Sequence, residues 1–248
     1  MKKKLITVAG VAFWLLVWEI AALCVGKEVL LASPISVIAR LFELVPSASF
    51  WGSVLFTAGR VLLGFFLGMT VGVVLAVVSG RFSAVERLLA PLVSCVKSIP
   101  VASFTILALI WISSRNLSVL VSFLIAVPIV YSNMLEGFHS LDKNLSAMAD
   151  VFRIPPVRRF VGVYLSQLMP YFRSAARLAM GLCWKSGVAA EVIGVPNGSL
   201  GEALYSSKIY LETTDLFAWT IVVIAASGLC EKLFLLLTDF AVKRIERL

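Results

Sequence analysis

The sequence predicts an all-α membrane protein with six transmembrane helices, and three observations predict it. Of the 248 residues, 60% are apolar and 15% charged, with a mean hydropathy of +0.98; soluble domains carry about 45–50% apolar and about 25% charged residues. The apolar residues gather into six blocks, at 5–25, 56–79, 89–112, 117–135, 171–193 and 216–237, each near the roughly 20 residues a helix needs to cross a bilayer. Between the fourth and fifth blocks lies a polar, basic stretch at 146–170, SAMADVFRIPPVRRFVGVYLSQLMP. Little chain remains for a soluble domain, so residues 1–248 read as one membrane domain with an ordered loop at about 141–170.

The first block follows Lys2, Lys3 and Lys4, which also describes a signal peptide. No small-residue cleavage site stands clearly after Gly26 and five more blocks follow, so it reads as a retained helix. The second block repeats Gly64, Gly68, Gly72, Ala76 and Gly80 every four residues. That spacing lays a smooth seam along one helix face where another backbone approaches closely, and packing within one chain and a seam between two chains are both open. Pro91, Pro100 and Pro128 interrupt the third and fourth blocks, which lets helices bend around a cavity. Cys24, Cys95, Cys183 and Cys230 fall in or beside apolar blocks without paired spacing and read as small buried hydrophobes, with no disulfide or metal site.

Orientation follows from the basic residues, because short positively charged loops stay on the cytoplasmic side. An inside N-terminus puts Lys2, Lys3, Lys4, Arg81, Arg87, Lys143, Arg153, Arg158, Arg159, Lys243, Arg244 and Arg247 in the cytoplasm, against Lys27, Arg40, Arg115 and Lys208 outside. Twelve against four predicts both termini inside and the loop before the sixth block outside. The net charge of +8 then reflects this bias and contact with anionic headgroups, not nucleic-acid binding. No GxSxG, HExxH, Walker or Gly-rich phosphate motif is present, so the chain carries no visible catalytic equipment.

Ionisable residues within spans are costly and usually face a bundle interior or water. Glu19, Arg60, Lys97, Lys185, Glu191 and Glu231 are the candidates. Arg60 and Glu231 lie near block ends, where a structural reading is favoured. Lys97, Lys185, Ser186 and Glu191 form the candidate solute path. Lys185 and Glu191 sit on one helix but six residues apart, so they do not stack as a pair; one faces the route while the other makes an interhelical contact.

The loop from Leu141 reads as a short amphipathic helix, a turn at Ile154-Pro155-Pro156 and a second helix feeding the fifth block. Leu145, Met148, Ala149 and Phe152 fall near i, i+3, i+4 and i+7 and make one apolar face. The segment resembles the EAA loop of ATP-binding-cassette importer permeases, patterned E-A-A, three residues, G, nine residues, I-x-L-P. Ala147, Met148 and Ala149 match the E-A-A, Arg153 the glycine, Val163 and Leu165 the I and L, and Ser166 the proline; spacing is kept while glutamate, glycine and proline are replaced. Three further stretches carry the resemblance: Ala32-Ser33-Pro34, Lys97-Ser98-Ile99-Pro100-Val101-Ala102, and Ala189-Ala190-Glu191-Val192-Ile193-Gly194 with Gly198-Ser199-Leu200-Gly201. Together they look most like the nitrate, sulfonate and taurine subgroup.

That resemblance implies a type I importer permease in the bacterial inner membrane. It implies a second permease subunit, commonly identical, forming a pathway at the interface, and an ATPase subunit receiving the loop helix through Leu145, Ala147, Met148, Ala149, Asp150, Phe152 and Arg153. A substrate-binding protein would deliver solute from outside. ATP and Mg would sit on the ATPase, with no cofactor in this chain. A small anion is the implied cargo; thiamine-precursor pyrimidines or riboflavin, carried by related subgroups, stay open. The rival class is a secondary transporter, but such folds show repeated halves around a central ionisable site and no internal repeat is visible here.

Overall fold

The computed structural model describes the backbone of residues 2–245, and their side chains except at 2–5, 8, 143, 146, 150, 157, 161, 241 and 243–245. Six of the counted basic side chains (Lys2, Lys3, Lys4, Lys143, Lys243 and Arg244), all of Arg247, and the side chain of Asp150 therefore lie outside the described residues. Within them the fold is helical and no strand forms. In order come α1 (Lys2–Val25), α2 (Pro34–Leu44), α3 (Ala48–Arg81), α4 (Ser83–Ser98), α5 (Val101–Ala108), α6 (Ser114–His139), α7 (Lys143–Val151), α8 (Pro156–Arg159), a π-helical stretch (Phe160–Leu165), α9 (Ser166–Gly194), α10 (Leu200–Ile209) and α11 (Thr213–Ile245).

Each apolar block becomes a helical stretch, but not six equal spans. By length and composition α3, α6 and α11 each suffice to cross a membrane, and α4 with α5 adds a fourth as a pair bent by 95°. The apolar part of α1, Ala9–Val25, is shorter, and α9 carries Arg173, Arg177, Lys185 and Glu191 along its length. Pro100 explains the break after α4: it lacks an N–H and biases Ile99 away from helical angles, and Ile99 is extended at φ −70°, ψ 126°. Pro91 and Pro128, expected to interrupt as well, lie inside continuous helices.

The bundle centre is α3, α6 and α9. A lipid tail is as apolar as leucine, so close backbone approach and polar contacts, rather than a hydrophobic term, must hold these helices together. The α3 seam supplies the approach, and its partner is α6 of the same chain. A Cβ added at Gly68 would lie 2.6 Å from the Ala126 Cβ and 2.8 Å from the Phe123 carbonyl; at Gly72 it would lie 2.9 Å from the Val130 Cβ. The Ser122 hydroxyl donates to the Cys183 carbonyl at 3.3 Å while the Cys183 thiol donates to the Ser122 carbonyl at 3.2 Å, a reciprocal clasp between α6 and α9. Cys183 is thus a buried packing residue, but Cys24 and Cys95 are exposed on helix surfaces, contrary to expectation; α1, around Cys24, is apolar on every side and has little of the chain packed on it.

Ion pairs fasten α11. Arg173 Nη2 reaches Asp239 at 2.9 Å and Arg177 Nε reaches Glu231 at 3.1 Å, the structural role expected of Glu231. At the other end Arg40 on α2 donates to both Asp215 oxygens at 2.6 and 3.0 Å. Its bond to Asp215, then that to Glu43, holds the guanidinium above its ordinary range. Trp18 completes this corner, donating Nε1–H to the Ala32 carbonyl at 3.0 Å and packing on Phe217.

Candidate coupling helix and translocation residues

The loop forms as its sequence suggests: α7, a turn, then α8. Asp142 opens α7, accepting from the Asn144 amide at 2.7 Å, a local side-chain cap of the kind Asp favours. Gln167 then ties the loop to α9. Its Oε1 accepts from the Asp142 amide at 2.8 Å and its Nε2 donates to the Val163 carbonyl at 2.9 Å. Gln167 was not singled out by sequence, because a glutamine in a polar loop gives no periodic signal.

Arg153 adopts φ +48°, at the position matching the glycine of the EAA pattern. The chain keeps the left-handed turn that glycine makes easily, and the Ile154 amide closes it on the Ala149 carbonyl at 3.0 Å. A non-glycine residue in that region costs about 1–2 kcal/mol. Arg153→Gly is therefore expected to stabilise the loop by roughly 1 kcal/mol, seen as slower protease cleavage or amide exchange at 150–156, and Arg153→Val to speed both. Equal effects from the two would show that backbone strain does not govern the turn.

The apolar face of α7 is rotated from the expected one. Ala149 is turned inward at 1% exposure, whereas Leu145, Met148 and Phe152 are exposed, Phe152 at 72%. Ala149 is thus corrected from a docking residue to a buried one. Val151, not included before, joins the exposed set at 78%, so Met148, Val151 and Phe152 form a patch at i, i+3 and i+4. Ala147 and Arg153 are exposed beside it.

The candidate path residues are not brought together. Lys97, at the end of α4, donates to the Ser132 hydroxyl of α6 at 2.7 Å, in a cleft of about 270 Å³ that also holds Glu86 and Tyr131. Lys185 is exposed on α9, Ser186 is half-buried beside it, and Glu191 is fully buried. The two charges on α9 thus have opposite fates, as their six-residue offset requires.

Glu191 sits in a polar knot that joins α3, α9 and α10. Its Oε2 accepts from the Thr57 hydroxyl at 2.7 Å and from the Gly201 amide at 3.4 Å, and Thr57 in turn accepts from the Leu200 amide at 3.0 Å. Thr57 therefore donates its O–H to the Glu191 side chain and accepts from the α10 N-terminus. Gly201 is needed for close approach: a Cβ there would overlap the Glu191 Cβ. The knot brings Glu191 and Gly201, ten residues apart in sequence, into direct contact, and Thr57 is the member that sequence alone did not reveal.

The family model for the binding-protein-dependent transport system inner membrane component matches residues 64–247. The chain is similar to the "Putative aliphatic sulfonates transport permease protein SsuC" of Bacillus subtilis (strain 168), at 27% identity over 248 residues, 100% of this chain and 86% of that protein. The protein of the same name from Escherichia coli (strain K12) is 27% identical over 237 residues, covering 94% and 86% respectively. The nitrate import permease protein NrtB of Synechocystis sp. (strain ATCC 27184 / PCC 6803 / Kazusa) is 25% identical over 215 residues, covering 82% and 78%. All three are named as permeases of a transport or import system. The chain belongs to the family of binding-protein-dependent transport system inner membrane components.

Proposed function

We propose that this chain forms the solute route of an ATP-driven importer for a small sulfonate- or nitrate-like anion, pairs with a second copy of itself, and takes its drive through α7. The observation that carries the coupling is the exposed patch of Met148, Val151 and Phe152. An amphipathic helix with such anchors fits an apolar groove, which an ATPase would supply together with its ATP and Mg. The anion follows from the sulfonate and nitrate relatives. An extracytoplasmic binding protein would deliver it, and Lys97 and Lys185 are the cations offered to the route.

Phe152→Asp places a carboxylate in the groove, where an unpaired charge is strongly disfavoured. In reconstituted complexes, ATP hydrolysis stimulated by binding protein loaded with ethanesulfonate or nitrate is expected to fall tenfold or more while the permease keeps its melting temperature. Undiminished stimulation with the ATPase still bound would remove α7 from the coupling role.

The charge count supports cytoplasmic termini. In a background lacking the four native cysteines, an impermeant thiol reagent added to intact cells is expected to label Asn197→Cys and not Val151→Cys. The reverse pattern would invert the topology and place α7 on the wrong side of the membrane for an ATPase.

A further inference from the structure

Two arginines near the α2 and α10 end of the bundle have no use in the knot or the coupling loop. Arg60 of α3 lines an open cavity of about 760 Å³, together with Ser113 and Asn116 at the start of α6 and an apolar wall that includes Leu63, Leu67 and Trp111. Arg115 stands beside it. Both guanidiniums gather on one ring, the Arg60 Cζ 4.2 Å and the Arg115 Cζ 5.8 Å from the Phe56 centroid. Neither arginine makes an ion pair among the described residues. Arg60 Nε is buried without a hydrogen-bond partner, and Glu191 acts on Arg60 only through space. Ser113, the residue that caps α6, gives its hydroxyl to no helix amide.

Like charges held side by side over an apolar wall repel each other, and a guanidinium in a membrane helix is costly unless something meets it. Cation–π contact with Phe56 is a partial answer, but it leaves the Arg60 Nε–H unmet. We propose that this cavity is a waypoint for the transported anion. An oxyanion group, sulfonate or nitrate, accepts N–H bonds from Arg60, with Asn116 and Ser113 as neutral donors and Arg115 adding positive field. A short alkyl tail, where the anion has one, rests on Trp111, Leu63 and Leu67. The site thus selects for negative charge and accommodates a small apolar body where the anion has one. It rests on the anion reading of the cargo.

Trp111 reports on the cavity, its emission isolated as the difference between the chain and its Trp111→Phe variant. The permease–ATPase complex in phosphatidylcholine nanodiscs is titrated with sodium ethanesulfonate, with sodium nitrate and with neutral methanesulfonamide. The two anions are expected to give saturable changes and the sulfonamide none. Arg60→Gln weakens the apparent affinity tenfold or more, Arg60→Lys restores part of it, and Arg115→Gln weakens it a few fold. A linear response shared with the sulfonamide, or saturation unchanged by Arg60→Gln, overturns the waypoint. Loss of the sulfonate response in phosphatidylglycerol nanodiscs assigns the arginines to lipid phosphates and overturns it too. A neutral cargo on the binding protein sinks the anion reading by itself; absent saturation with an anionic cargo sinks the waypoint alone.

Discussion

Glu191→Ala is expected to lower the melting temperature and yield of the permease more than any polar substitution elsewhere in the bundle. The carboxylate is fully buried and gathers donors from two other helices. Its removal leaves the Gly201 amide unpaired and opens a void next to a glycine with no side chain to fill it. Unsatisfied buried donors cost about 1–3 kcal/mol each, and truncating a large buried side chain adds a cavity term of similar size, so a loss of roughly 3–5 kcal/mol is the expected scale. Glu191→Gln keeps the shape and an acceptor oxygen and should recover most of it. Thermal melting in detergent, read beside uptake in vesicles, separates this fastening role from the solute-path role suggested by sequence. An alanine variant that melts like the parent yet transports nothing would return Glu191 to the path.

Gly68→Val should prevent the chain from reaching its folded state at normal yield. The added Cβ meets Ala126 at 2.6 Å and the Phe123 backbone at 2.8 Å, and backbone does not move aside as a flexible side-chain end would. Overpacking a well-packed site costs about 1–3 kcal/mol; here α3 and α6 must separate along a shared length, so the upper end is expected. Gly59→Val on the same helix meets nothing within 4 Å and should leave yield and melting near parental values. Comparable loss from both would mean that the Gly59 face is covered in the assembled transporter and that α3 is not read correctly from one chain.

The helical blocks were legible because a long apolar run marks them, though among the described residues only α3, α6, α11 and the bent α4–α5 pair are long and apolar enough to cross a membrane; the break before Pro100 was legible because proline acts on its immediate neighbours. The turn was placed at Ile154-Pro155-Pro156, whereas the left-handed residue is Arg153 just before it; spacing matched that position to the family's glycine but did not announce its conformation. Periodicity gives directions around a helix axis but not which neighbour occupies each direction. Hence Ala149 was placed on the exposed face, the seam of α3 was left open between α6 and a second chain, and which of Lys185 and Glu191 makes the interhelical contact was left undecided. The Arg40–Asp215 pair joins residues 175 positions apart, and no local pattern announces such a contact. Thr57 was missed for the same reason: a lone threonine in an apolar helix gives no sign that a carboxylate lies against it.

From Pro156 the backbone runs through α8 and the π-helical stretch into α9 without leaving helical form until Gly194, a length of about 60 Å at 1.5 Å per residue. Mechanically this is one rod with a wide-wound joint at Phe160–Leu165, wound more loosely than the α-helix around it, and with Pro170 just beyond it inside α9. A push on α7 reaches that joint through the short turn at Arg153 and the brace from Gln167. If α7 takes the drive as proposed, part of each push would be absorbed in winding or unwinding the joint before the rod moves; the rod's far end holds the knot that anchors α10. On that reading the joint would be a compliant element between the loop and α10, softening small motions of the loop before they cross the membrane.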